Sequence, residues 1–291
     1  MSRSVVTCAP STSLYDILEL LAEHRIARVV MLDQKSKPVG IVSEKDVIEF
    51  LLGDEDMRGL DEIRAEELAT STLSTIKASA PVEEAAEAMM RKKISSLVVM
   101  DGELEGIITK ADVVTYLALA GSSCPVTRFM TPNPITVKPS HSVFAVIGLM
   151  LKHRISRVIV TDRDSKPTGI ITIADITLAN NVTNLSRLYV SSGPELASDL
   201  LKRAVVIRRI TARDFMSDQP LCVNQNSSLS IAAKLMSTHR ISGLPVIDEN
   251  GKLTGIVSKT DMTQAVAHGV ALDRVVGENA YLTSVQHGTE H

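Results

Sequence analysis

Four stretches of the chain carry apolar residues at offsets 0, 3, 4 and 7. They are Leu14, Ile17, Leu18 and Leu21; Val82, Ala85, Ala86 and Met89; Val143, Val146, Ile147 and Met150; and Leu229, Ala232, Ala233 and Met236. This spacing lines one face of a helix and predicts four amphipathic helices. Each is followed by a short apolar run, such as Val29 to Leu32 or Val158 to Val160, which ends in a polar turn: DQKSKP, MDGELEG, DRDSKP or DENGK. A second apolar pair follows the turn, so two short buried strands joined as a hairpin fit best. A Ser or Thr three residues before an Asp then opens a further helix, as in the run from Asp46 to Leu52.

The pattern is one unit written four times, and repeats of this kind set the fold. Its clearest signature is a heptapeptide: GIVSEKD from Gly40, GIITKAD from Gly106, GIITIAD from Gly169 and GIVSKTD from Gly255. Upstream, Thr7, Thr75, Thr136 and Cys222 each lie 19 residues before an isoleucine: Ile26, Ile94, Ile155 and Ile241. Three of these sit in HRIAR, HRISR and HRISG; the second copy reads KKISS. From anchor to glycine the copies run 33, 31, 33 and 33 residues, the second having lost two residues in its turn. Each unit reads β-α-β-β-α and, at about 55 to 60 residues, sits near the lower limit for a solitary domain, so pairing is expected. The fold class expected is α/β (α+β).

These residues resemble the CBS (cystathionine-beta-synthase) domain, and two tandem copies resemble a Bateman module. The likeness extends to the lead-in ahead of copies three and four, Arg128-Phe129-Met130-Thr131-Pro132 and Asp214-Phe215-Met216-Ser217. Copy one starts at Ser2 without a lead-in, and copy two has only Glu66-Glu67-Leu68 there. The resemblance implies two modules: residues 1–121 with copies one and two, and 122–291 with copies three and four. They are divided near Gly121-Ser122-Ser123-Cys124-Pro125, and an insertion at about 180–209 lies within the second. It also implies a stand-alone regulatory protein that binds AMP, ADP, ATP or S-adenosylmethionine in clefts between paired copies.

The family's adenosine site, carried over position by position, implies ribose carboxylates at Asp46, Asp112, Asp175 and Asp261. Their hydroxyl partners are Ser43, Thr109, Thr172 and Ser258, and the first-strand residues are Thr7, Thr75 and Thr136. The physical chemistry is consistent, since a carboxylate accepts from both ribose hydroxyls and backbone N–H groups at a helix start favour anions. Apolar Ile26 and Ile155 offer a slot for adenine, and the heptapeptide glycine offers close approach to a flat base. Arg28 and Arg157 are implied as phosphate ligands. Copies two and four carry Ser96 and Gly243 at that position, and Cys222 replaces threonine in copy four.

The same Ser/Thr-x-x-Asp is also a helix capping box, and the two roles are compatible. The histidines at 24, 153 and 239 stand before arginines at a helix end, where cations suit the helix dipole. No catalytic triad spacing, phosphate loop or clustered metal ligands appear in the sequence, so neither a catalytic nor a metal site is expected. A net charge of −3 gives no basic field for nucleic acid, and aromatics at 3% weaken base stacking. Three cysteines without a C-x-x-C spacing fit a reducing compartment. No 18-residue apolar run or signal-peptide core occurs, so a cytoplasmic protein is expected. A homodimer through stacked modules and an unidentified protein partner are further expectations. The basic residues Lys202, Arg203, Arg208, Arg209 and Arg213 form either a solvated face or a docking surface. The competing reading is an interaction scaffold with degenerate nucleotide sites, favoured by Ser96, Cys222 and Gly243.

Overall fold

A computed structural model describes residues 1–51, 58–177 and 210–273. Within them each copy has the predicted β-α-β-β-α order. Copy one comprises β1 (Thr7–Cys8), α1 (Leu14–Glu23), β2 (Arg28–Leu32), β3 (Pro38–Ser43) and α2 (Glu44–Leu51). A short helix, α3 (Ala65–Leu68), leads into copy two: β4 (Thr75–Ile76), α4 (Val82–Lys92), β5 (Ser96–Asp101), β6 (Glu103–Thr109) and α5 (Lys110–Ala120). A 3-10 turn at Val126–Arg128 and β7 (Thr131–Pro132) lead into copy three: β8 (Thr136–Val137), α6 (Val143–His153), β9 (Arg157–Thr161), β10 (Pro167–Thr172) and α7 (Ile173–Thr177). Then α8 (Ala212–Phe215) and β11 (Ser217–Asp218) precede copy four: β12 (Val223–Asn224), α9 (Leu229–Thr238), β13 (Gly243–Ile247), β14 (Leu253–Ser258) and α10 (Lys259–Ala267). The insertion expected at 180–209, with Lys202, Arg203, Arg208 and Arg209, lies outside the described residues.

In every copy the first strand pairs parallel to the second, and the second pairs antiparallel to the third. The four helices read from the apolar spacing bury those residues, for example Leu14, Ile17, Leu18 and Leu21. Ser13, Ser142 and Ser228 cap three of them, accepting from Asp16, Ala145 and Ile231 backbone N–H groups. Three hairpins turn on an aspartate that accepts two backbone N–H bonds; Asp248 Oδ1, for instance, accepts from Asn250 and Lys252 at 2.9 and 2.8 Å. Copy two, two residues shorter, turns instead on Gly102 at φ +83°, with Asp101 facing Glu103 across the hairpin.

The lead-ins pair away from the copies they precede. β7, ahead of copy three, adds to β14 of copy four, and β11, ahead of copy four, adds to β10 of copy three. In the first half the exchange shrinks to single bridges, Ser2 with Ile107 of copy two and Thr70 with Ile41 of copy one. Ser2 therefore takes the place of a lead-in for copy one. The exchanged segments also complete cores: Ile63 and Ala65 join copy one, and Ala212 and Phe215 join copy three.

The residues gather into two compact units that cut across chain order. One comprises Met1–Val5, Ser74–Pro134 and Pro220–His291, hence copies two and four with two lead-ins; the other comprises Val6–Leu73 and Ile135–Gln219, hence copies one and three with two lead-ins. The sequence boundary between 121 and 122 follows the chain instead. Copies two and four share one continuous core, in which Leu117, Met89, Leu229, Met236 and Met262 are fully buried. Copies one and three each keep a core of their own.

Candidate functional site

Each copy places its Ser/Thr and Asp where the third strand becomes a helix. Asp46 Oδ2 accepts from the Ser43 backbone N–H at 2.8 Å and from its hydroxyl at 2.6 Å. Asp112 accepts the same pair from Thr109 at 2.7 and 2.9 Å, Asp175 from Thr172 at 2.7 and 2.7 Å, and Asp261 from Ser258 at 2.7 and 2.7 Å. The hydroxyl oxygens accept in return from the first turn of the helix. The motif is thus a capping box in all four copies. The cap consumes only one oxygen of each carboxylate. Among the described residues, the other oxygen of Asp46 and of Asp175 has no hydrogen-bond partner. The amino nitrogen of Met1 lies 3.1 Å from Asp112 Oδ1.

Strand register brings further expected residues to this junction. Arg28 pairs with Ser43, and Thr7 pairs with Val30, two residues along β2. Laterally paired residues share a sheet face, so Thr7, Arg28 and Ser43 face one side. Copy three repeats this with Thr136, Arg157 and Thr172. In copy two Ser96 faces Thr109 and Thr75 pairs with Val98, so no arginine stands at the position of Arg28 and Arg157. In copy four Gly243 faces Ser258. Thr7 is half-buried, whereas Thr75 and Thr136 are exposed. Ile26 and Ile155 are half-buried and pack on the cores of their own copies.

The heptapeptide glycine has a different occupation from the one expected. A methyl group at Gly255 would sit 2.6 Å from Met130 Sδ and 3.1 Å from the Thr131 carbonyl; at Gly169, 2.5 Å from Met216 Sδ; at Gly106, 2.7 Å from the Ser2 carbonyl. At Gly40 the neighbours include Ala69 Cβ at 3.1 Å. In each copy the exchanged lead-in crosses the glycine, which accounts for the residue without any base lying there.

The basic residue after the first helix of each copy is left-handed: Arg25, Lys93, Arg154 and Arg240 have φ of 50, 55, 54 and 53°. That place usually falls to glycine. The histidines before three of these are exposed at the helix end.

A cavity of about 760 Å³ opens beside copy four. Asp261, Gln264 and His268 line it from one face of α10, and Arg128, Met130 and Thr131 line it from the lead-in of copy three. Of these only Asp261 was foreseen; it is 8% exposed. The 261, 264, 268 spacing was legible as a helix face. Arg128 and Thr131 were not, because strand exchange carries them to a distant copy. Cys124 lines the same cavity. Burial pushes the thiol of Cys8 up to about 11 and raises that of Cys222. Among the described residues no group of three or more His, Cys, Asp and Glu could hold a metal ion, and no helix is long and apolar enough to cross a membrane.

Comparison with known proteins adds the family. The model described as CBS domain matches residues 1–53, 65–119, 126–180 and 212–268. Protein MJ1404 of Methanocaldococcus jannaschii is 24% identical over 273 residues, 92% of this chain and 61% of that one, so the chain spans under two thirds of this relative. The crystal structure of protein MJ1225 from the same organism has a TM-score of 0.74 at 21% identity, covering 91% of this chain and 96% of that one. CBSX2 of Arabidopsis thaliana, a chloroplastic CBS domain-containing protein, is 28% identical over 145 residues, 47% of this chain and 61% of that one, and has been crystallised in complex with AMP (TM-score 0.39). Four matched segments, on the four copies that the strands and helices delimit, make the chain a member of the CBS domain family.

Proposed function

We propose that the chain is a regulatory protein that binds AMP, ADP, ATP or a related adenosyl ligand such as S-adenosylmethionine. It modulates a partner protein and catalyses no reaction. The observation that carries this reading is the half-spent carboxylate. Capping explains one oxygen of Asp46 and of Asp175, and the other remains for a ribose hydroxyl beside Thr7 and Arg28, or Thr136 and Arg157. The relative CBSX2, solved with AMP, supports the ligand class.

The modules we propose are residues 1–121 and 122–291. Reciprocal exchange of lead-ins between copies one and two, and between three and four, supports that pairing. A cytoplasmic homodimer is part of the same proposal. By linkage, the ligand signals only if it binds one arrangement of the modules more tightly than another.

The second reading, a scaffold with degenerate sites, draws on Gly243, Ser96 and Cys222. Isothermal titration calorimetry against AMP, ADP, ATP and S-adenosylmethionine separates the two. The sensor reading expects saturable binding by the wild type, with fewer sites filled in the Asp46→Ala, Asp175→Ala variant. Flat traces with folded wild-type protein would establish the scaffold instead.

A further inference from the structure

Copy four looks bare of phosphate ligands in the sequence, because Gly243 stands where copies one and three have Arg28 and Arg157. The cavity beside it is not bare. Its walls bring together Asp261, from the first turn of α10, His268, from the end of that helix, and Arg128, from the lead-in of copy three. Asp261 and His268 are seven residues apart on one helix face, about 10 Å along its axis. The volume, about 760 Å³, falls within the range of small-molecule sites.

Arg128 is held in place by its backbone. The 3-10 turn that carries it is tied to copy four by Val126 N–H donating to Ser227 O at 2.9 Å. On its other side β7 pairs with β14, Thr131 with Ile256 and Pro132 with Gly255. A short clamped segment thus contributes an exposed arginine to the lining of a cavity that the buried Asp261 also lines. Guanidinium offers a fork of donors suited to phosphate, whereas the carboxylate suits the ribose hydroxyls.

We propose that the phosphate of a nucleotide bound at copy four is held by Arg128, a residue lent by the lead-in of copy three, with His268 beside it. Copy four thereby recovers the cation that Gly243 omits. The proposal rests on the nucleotide reading above and adds to it a phosphate ligand outside the repeat's own motif.

Cys124 gives a readout confined to this cavity. The full chain is alkylated with iodoacetamide in the presence of graded AMP or adenosine, and modification of Cys124 is followed by peptide mass spectrometry. Both ligands are expected to shield Cys124. Arg128→Ala is expected to raise the AMP concentration for half-protection about tenfold, the effect of losing one charge-assisted contact, and to leave that for adenosine unchanged. Arg128→Lys is expected to recover part of the loss, and Arg128→Gln to repeat the alanine result if that variant folds poorly. An equal shift for both ligands, or no shift for AMP, overturns the proposal. So does absence of protection by either ligand while calorimetry shows the wild type binding AMP; the nucleotide reading then stands and this site falls. Calorimetry showing no AMP binding at all removes both.

Discussion

Two glycines with opposite surroundings show how much a single Cβ decides. At Gly255 an added methyl meets the Thr131 carbonyl at 3.1 Å and Met130 Sδ at 2.6 Å, and the lead-in that carries both is pinned on either side. Gly255→Ala is expected to destabilise the protein by about 1–3 kcal/mol, the usual cost of overpacking. Gly148 lies exposed inside α6 with nothing within 4 Å of an added Cβ. There the backbone entropy of glycine is the larger effect, so Gly148→Ala is expected to stabilise by about 0.5–1 kcal/mol. Urea denaturation of both variants checks the signs. A third residue, Asp248, adds a pH dependence. The backbone N–H of Lys252 foremost, and that of Asn250 with it, holds its carboxyl below the ordinary 3.8. Its folded pKa is the lower one, so its contribution is complete above 3.8 and lost as pH falls below that value. The stability gap between wild type and Asp248→Ala is therefore expected to narrow as pH falls below about 3.8.

Among the helices, α5 departs from the rest. Val113, Val114, Tyr116, Leu117, Ala118 and Ala120 are all buried, so it is covered nearly all round. It packs on α9 and α10 of copy four as well as on α4 of its own copy. Leu117→Ala is expected to cost about 2–5 kcal/mol, read from the urea midpoint, because the site is fully enclosed and cannot collapse cheaply. The near-continuous apolar run Val113 to Ala120 was a legible sign of such burial. The helices that begin at Leu14, Val82, Val143 and Leu229 were legible to the residue, because 3.6-residue periodicity is a local property and three of them follow a capping serine. The Ser/Thr–Asp junctions were legible for the same reason. The exchanged lead-ins were not. Ser2 against Ile107 and Thr70 against Ile41 are single bridges without a pattern of their own, and their partners are set by tertiary contact. The heptapeptide glycine was visible as a signal and given the wrong cause, since the strand crossing it comes from another copy. Arg128 stayed hidden likewise.

At the scale of the whole molecule, cores rather than chain order define what must unfold together. Copies two and four bury one core between them, with Leu117 and Met89 from one and Leu229, Met236 and Met262 from the other. Exposing either side leaves the other's apolar surface in water, so the two copies should open as one cooperative unit. Copies one and three have separate cores, closed by Ile63 and Ala65 in one and by Ala212 and Phe215 in the other. Among the described residues, nothing in those cores obliges the two to open together. Hydrogen exchange read by mass spectrometry distinguishes the cases. Leu117→Ala is expected to lower protection in α9 and α10 of copy four as much as in α4 of its own copy. Ile171→Ala, equally buried but in the core of copy three, is expected to lower protection in α6 while leaving α1 of copy one unchanged. If α9 keeps its wild-type protection in the Leu117→Ala variant, the shared core does not couple the two copies. If α1 loses protection in the Ile171→Ala variant, copies one and three are coupled by something other than their cores, and α2 against α7 is the contact to test next.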